Sequence, residues 1–195
     1  MATTPLTKIR DAFSQSHERK QLSIKEYHRA GVLVPIVTAN SECSLLLTKR
    51  TETVETHKGQ VSFPGGMVND GDEDITATAL RELHEETGIA PQTVQILGLL
   101  DDLPVPTGFV VTPVVGIVQS IDSLAINKAE VAEAFEVPLY YFQDQANGRM
   151  EYRESRGSMH EVWFYEFEGR NIWGATAMIV RSLLRRTGLL DIERD

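Results

Sequence analysis

With 195 residues, 42% of them hydrophobic and 24% charged, the chain is long enough to bury a substantial core, and a single domain over residues 1–195 is expected. A formal charge of −9 argues against general binding to nucleic acid or to a membrane surface, because both need a positive field over a wide area; a small anionic substrate held by local cations remains compatible with it. Cys43 is the only cysteine, which excludes an intrachain disulfide and a cysteine metal cluster and makes a reducing, cytoplasmic setting the simplest expectation.

Thr4-Pro5 followed by Leu6, Ile9 and Phe13 predicts a capped amphipathic helix at about residues 4–16, with Thr4 as the cap and Pro5 in the first turn. Lys8, Arg10 and Asp11 interrupt this segment, so it does not read as a signal peptide, and no apolar run approaches the roughly 20 residues that span a bilayer. Residues 31–37 and 45–48 are apolar runs separated by Asn40, Ser41 and Glu42, the pattern of two strands joined by a turn. Residues 50–60 are polar and aperiodic and read as a loop, after which 61–63 form a short strand leading into Pro64-Gly65-Gly66. Residues 74–87 have helical periodicity and are stopped by Gly88 and Pro91.

Residues 94–100 and 109–118 read as strands on either side of a loop marked by Pro104, Pro106 and Gly108, and Pro113 implies an edge position or a bulge. Residues 130–136 read as acidic and partly helical, ending at Val137-Pro138. Tyr152 and residues 163–167 fall in two hairpin strands around a turn at 155–158. A last helix over about 175–187 places Met178, Ile179 and Leu183 inward and Arg181, Arg185 and Arg186 outward. Strands before and after a central helix, with a second long helix at the end and no internal repeat, imply an α/β fold with a mixed sheet between helical layers.

The most informative stretch is Arg81-Glu82-Leu83-His84-Glu85-Glu86-Thr87-Gly88-Ile89. At about 100° per residue, Glu82 and Glu86 lie roughly 40° apart on successive turns, bordered by Glu85, beside an apolar arc of Ile75, Ala79, Leu80 and Leu83. Three carboxylates at the edge of a buried face repel one another, and a hard divalent cation, Mg²⁺ or Mn²⁺, is their natural occupant. Arg81 falls one turn before Glu85 and is placed to neutralise or orient it, whereas His84 projects away and is expected to be exposed. Any glutamate-rich helix has a plain solvated face as its alternative reading. What favours a site is the preceding Phe63-Pro64-Gly65-Gly66 and the acidic turn over 69–74, because glycines beside a charged helix let backbone groups approach a ligand.

Gly66, Glu73, Arg81, Glu82, Glu85, Glu86 and Gly88 together resemble the Nudix box, the loop–helix–loop signature of the Nudix hydrolases. The resemblance implies an α/β/α sandwich with a mixed sheet, metal binding by Glu82 and Glu86, a buttressing role for Arg81 and a backbone carbonyl ligand at Gly66. Six residues separate Gly66 from Glu73, where the general box has five. Glu85 is assigned as general base or additional metal ligand, with Asp101, Asp102, Glu130 and Glu133 as reserves.

Upstream, Leu46-Leu47-Thr48-Lys49-Arg50 and residues 56–66 resemble the additional motif of the coenzyme A diphosphatase branch of that family, as do Ile172-Trp173-Gly174 and Thr176-Ala177. The branch cleaves coenzyme A or its derivatives to 3′,5′-ADP and phosphopantetheine or its acyl form. Arg50, His57 and Lys58 offer cationic or switchable donors suited to a diphosphate or a 3′-phosphate, and Gln60 adds a neutral donor and acceptor. Where the branch motif commonly carries an arginine, this chain has Glu55. Trp173 and Phe63 read as core residues before base-stacking platforms.

A metal at Glu82 and Glu86 suits diphosphate hydrolysis, since it polarises a phosphoryl oxygen and lowers the pKa of bound water. No Gly-x-Ser-x-Gly elbow or Walker loop is present. Two other readings stand beside this one: a diphosphatase for ADP-ribose, a dinucleotide or a nucleoside triphosphate, which Glu55 favours, and a non-catalytic nucleotide-sensing module. A homodimer is plausible by family resemblance.

Overall fold

Twelve residues rich in aliphatic and β-branched side chains form β1 (His28–Ala39) in the computed structural model of the chain, which describes residues 4–39, 42–53, 57–122, 124–155 and 157–190. One flank of β1 pairs in parallel along its length with β7 (Phe109–Val118). The other flank pairs antiparallel with β2 (Glu42–Arg50) and with β4 (Gly65–Met67). β2 in turn carries β3 (Val61–Ser62) and β8 (Val131–Pro138), while β7 carries β5 (Val94–Leu99) and β6 (Leu103–Val105). The result is a mixed eight-stranded sheet.

Side chains alternate across this sheet, and each face has its own core. Leu33, Val37, Leu46, Val114 and Val118 meet Ala79 and Leu83 of α2 (Ile75–Thr87) on one face. On the other, Val34, Ile36, Leu45, Leu47 and Val115 meet Ile9 of α1 (Pro5–Ser14), Leu139 and Phe142 of α3 (Leu139–Gln143) and Ile179, Val180, Leu183 and Leu184 of α4 (Ala175–Arg186). This is the expected α/β/α sandwich. α1 begins as predicted, the Thr4 hydroxyl accepting from the Thr7 N–H at 3.3 Å with Pro5 behind it. A separate three-stranded sheet of β9 (Gly148–Ser155), β10 (Ser158–Phe167) and β11 (Arg170–Trp173) contains the hairpin expected around 155–158 and adds Tyr165 and Ile172 to the second core.

Four local expectations are corrected. Residues 131–138 are not helical but form β8, with Val131 and Val137 buried and Ala132 and Glu136 exposed, because β2 offers a full-length antiparallel partner. Residues 103–105 leave the expected loop to form β6, a hairpin strand on β7. Pro113 lies inside central β7, opposite Val32, and not at an edge. Its carbonyl accepts from the Leu100 N–H at 2.9 Å, so the flank lacking an N–H faces the break between β5 and β6, and no ladder bond to β1 is lost. Arg181, expected outward, lies 3.3 Å from the centre of the Trp163 ring and donates to the Tyr165 hydroxyl at 3.2 Å, so it covers the joint between α4 and β10. Phe63 is buried in the second core, as expected, whereas Trp173 is half-buried and stacked on Phe164 at 5.9 Å, outside both core clusters. Among the described residues no helix is long and apolar enough to cross a membrane.

Candidate active site

Both ends of α2 are fixed by capping, which sets where its acids point. The Asp74 carboxylate accepts from the Ala77 N–H at 2.8 Å, and Gly88, left-handed at φ 76°, donates to the His84 carbonyl at 2.8 Å. Ala79, Leu83 and Glu86 then follow one another along the buried stripe at helical spacing. Glu86 therefore sits inside the apolar face and not at its edge, with 3% of its surface exposed.

Two donors hold this buried carboxylate. Glu86 Oε2 accepts from the Thr48 hydroxyl at 3.1 Å, and Oε1 accepts from the Gly65 N–H at 3.4 Å. Burial pushes the Glu86 carboxyl up to about 7; the Gly65 and Thr48 bonds pull it down, the neighbouring Glu82 charge pushes it up and Arg50 pulls it down. Leu46, Thr48 and Arg50 occupy alternate positions of β2 and share the face turned to α2.

Glu82 is the second acid. Burial raises its pKa, the bonded Arg81 guanidinium opposes that rise, and the charges of Glu85 and Glu130 add to it. Gly66 lies directly against Glu82: a Cβ on Gly66 would stand 2.4 Å from Glu82 Oε1. The glycine turn thus brings backbone up to both acids, Gly65 to Glu86 and Gly66 to Glu82.

Arg81 gathers the rest. Its Nε and one terminal nitrogen donate to the two oxygens of Asp72 at 2.9 and 3.0 Å, while the other donates to Glu82 at 2.7 Å and Glu85 at 3.0 Å; the Met67 carbonyl accepts a further bond at 3.0 Å. The Arg81 hydrogen bonds hold Asp72 well below the usual carboxylate range, and Asp72 in return raises the guanidinium pKa. The acid that meets Arg81 is therefore Asp72, while Glu73 is exposed. Five residues separate Gly66 from Asp72, so the extra residue falls between the acid and the helix. The spacing alone did not separate Asp72 from Glu73; Thr48 belongs to the quoted Leu46–Arg50 motif, but nothing in the sequence marked its contact with Glu86.

The three helix glutamates divide. Glu82 and Glu86 border the glycine turn, whereas the Glu85 side chain is 52% exposed and paired with Arg81. His84 is exposed, with its ring Nδ1 at 3.2 Å from the Ile89 carbonyl. Of the upstream candidates, Arg50 is the one whose charge is felt by Glu86, and its Nε is buried with no hydrogen-bond partner among the described residues. His57 and Gln60 bond to each other at 2.8 Å, Lys58 is exposed, and Glu55 lies outside the described residues. Among the reserve acids, Glu130 is the one felt by Glu82. Asp102 accepts from Arg19, Leu22 and Thr112, Asp101 accepts from the Lys20 N–H, and Glu133 pairs through both oxygens with Arg170.

Among the described residues no three acidic, histidine or cysteine side chains converge on one point. The donor set nonetheless fits a small hard cation, since such ions are commonly held by one or two carboxylates and complete their shells with water and substrate phosphate. The close approach of Gly66 to Glu82 is the cradle in which that fit is most sensitive. Gly66→Ala is expected to leave the melting temperature within a few degrees, because only the flexible end of Glu82 must move, while weakening Mn²⁺ binding at least about tenfold. Calorimetric titration alongside a thermal melt checks both, and unchanged affinity would contradict the cradle.

The NUDIX domain family model matches residues 27–168. The chain is 43% identical over 175 residues to a protein of Photorhabdus laumondii named "Uncharacterized Nudix hydrolase NudL", covering 86% of this chain and 88% of that one. A protein of the same name from Cronobacter sakazakii is 39% identical over 190 residues, covering 96% and 98%. In fold, the chain is similar to a crystal structure of a NUDIX hydrolase from Alicyclobacillus acidocaldarius, with a TM-score of 0.54 at 17% identity, covering 88% of this chain and all of that one.

Proposed function

The chain belongs to the Nudix family, and from that premise we propose that it is a diphosphatase dependent on Mg²⁺ or Mn²⁺ that cleaves coenzyme A or its derivatives to 3′,5′-ADP and phosphopantetheine or its acyl form. The observation that carries the reading is the convergence of two separate motifs on Glu86. Thr48, Arg50 and Gly65 all come from the segment that resembles the coenzyme A branch, and all three act on a carboxylate of the helix that resembles the Nudix box.

Glu82 and Glu86 would hold the cation, with Gly66 against Glu82 and Gly65 against Glu86. When bound, the cation supplies a Lewis acid for a phosphoryl oxygen and a lowered pKa for water. The chain's own residues do the remaining work. Arg50 carries a guanidinium to the same place and offsets the charge of a diphosphate in a strongly acidic protein. Glu85 or Glu130 takes the proton of the attacking water; Glu85 is held by Arg81, and Glu130 is fixed by the Asn127 side chain at 3.2 Å. Water oxygen bonds to one phosphorus, the bond from that phosphorus to the bridging oxygen breaks, and two phosphate monoesters leave. His57, Lys58 and Gln60 form the outer part of the substrate site, at the base of a turn whose Gln60 carbonyl accepts from the Arg50 N–H at 2.9 Å.

The same chemistry on another nucleotide is favoured by Glu55, whose charge would repel a phosphate near that loop. A chromatographic, product-resolved assay over coenzyme A, acetyl-coenzyme A, ADP-ribose, a dinucleotide and a nucleoside triphosphate, with each metal, separates the two. Release of 3′,5′-ADP at a kcat/KM at least about tenfold above the other substrates is expected; robust cleavage of another nucleotide with no turnover of coenzyme A would reject the substrate assignment. No turnover of any nucleotide would leave a binding module.

A further inference from the structure

Thr48 is fully buried, and its hydroxyl is the polar group that β2 presents to α2 between Leu46 and Arg50. The hydroxyl has two acceptors within reach, Glu86 Oε2 at 3.1 Å and the Ser62 carbonyl at 3.4 Å, and one hydrogen to give. The nearer acceptor is also the charged one, and a charge-assisted bond is roughly twice as strong as a neutral one. The Gly65 N–H approaches the opposite oxygen of the same carboxylate. Each oxygen of Glu86 is thus tied by one donor, from two different elements, and a carboxylate with about four acceptor positions keeps the rest for a cation.

We infer that Thr48 is a positioning residue: its hydroxyl fixes the orientation of Glu86 so that the free lone pairs of that carboxylate face the divalent cation. The inference rests on the proposed cation site and adds to it a side chain that touches neither cation nor substrate. Groups that hydrogen-bond a metal ligand orient it, and their loss typically weakens metal binding about 10–100-fold. A buried threonine kept only for its shape would have no such effect, because valine fills the same space.

Calorimetric titration of Mn²⁺ into the wild-type protein, Thr48→Val and Thr48→Ser, each after chelator treatment and with a thermal melt beside it, separates shape from hydroxyl. Thr48→Val is expected to raise the Mn²⁺ dissociation constant about 10–100-fold, while Thr48→Ser stays within about threefold of wild type. Thr48→Ala against Thr48→Ser makes the same comparison at equal loss of the methyl group, and reads the hydroxyl even where the valine variant does not fold. Equal affinity in the hydroxyl-bearing and hydroxyl-lacking proteins would overturn the positioning role while leaving the cation site intact. A wild-type protein that takes up no Mn²⁺ would overturn the site itself, and the role of Thr48 with it.

Discussion

Glu86→Gln is expected to reduce hydrolysis by at least about 100-fold and, in the same protein without cation, to make the fold more resistant to urea above pH 7. The two effects have one cause. Glu86 is buried in the stripe of α2 that packs on the sheet, and burial is the largest influence raising its pKa from 4.5 to about 7. The unfolded chain ionises this group near 4.5 while the folded protein holds the proton to about 7, so a rise in pH through that window favours unfolding. The stability that the neutral form provides is complete below 4.5, is lost progressively through the window, and stays lost above 7. At about 1.4 kcal/mol per pKa unit, wild type loses about 3 kcal/mol relative to Glu86→Gln across the window. Urea unfolding of both proteins in chelator at pH 4.5, 6 and 8 measures this. Parallel stability curves would mean that Glu86 is not ionised against a burial penalty; divergent curves with unimpaired turnover would separate the buried acid from the chemistry.

Removing Arg81 is expected to be the most destabilising change in the site. Arg81 makes five hydrogen bonds, to Asp72, Glu82, Glu85 and the Met67 carbonyl, with its side chain 24% exposed. Arg81→Met leaves Asp72 and Glu82, with side chains 6% and 15% exposed, facing each other without a cation between them. Breaking a buried ion pair from one side costs about 3–5 kcal/mol, and partial exposure places this one at the lower end, about 3 kcal/mol. For a chain of this size that lowers the melting temperature by about 6–12 °C. Arg81→Lys is expected to recover little, because a single ammonium cannot span both oxygens of Asp72 and Glu82 together. A melting temperature for Arg81→Met within about 2 °C of wild type would show that the cluster is solvated and that Arg81 is not its keystone.

α2 was legible in the sequence because its apolar arc at positions 75, 79, 80 and 83 and the glycine at 88 agreed; the structure adds the Asp74 cap and starts the helix one residue later, at Ile75. The division of its acids was only partly legible. Helical spacing places Glu82 and Glu86 near each other, but the depth of Glu86 depends on how far α2 sinks onto β1 and β2, which no local pattern records. β8 is hidden in the sequence because Glu130, Glu133 and Glu136 recur at a helical interval of three, while the partner that makes residues 131–138 a strand lies more than 80 positions earlier in β2. The place of Pro113 is hidden for a similar reason: its tolerance in a central strand comes from a gap in the neighbouring flank. Asp72 and Glu73 are adjacent acids, and only the reach of Arg81 distinguishes them. The nearness of Glu130 to Glu82 follows from β8 lying beside β2, so it was invisible until that pairing was known.

If Glu82 and Glu86 grip one divalent cation, that cation competes with the Glu86 proton, and this competition is the most direct test. Mn²⁺ titration of the wild-type protein at pH 8, 7, 6 and 5, followed by calorimetry, is expected to show one site whose affinity is level above about 7 and falls up to about tenfold for each pH unit below it. Glu86→Gln is expected to lack the site at every pH. Absence of Mn²⁺ uptake by the wild type, or equal uptake by the variant, would contradict the account.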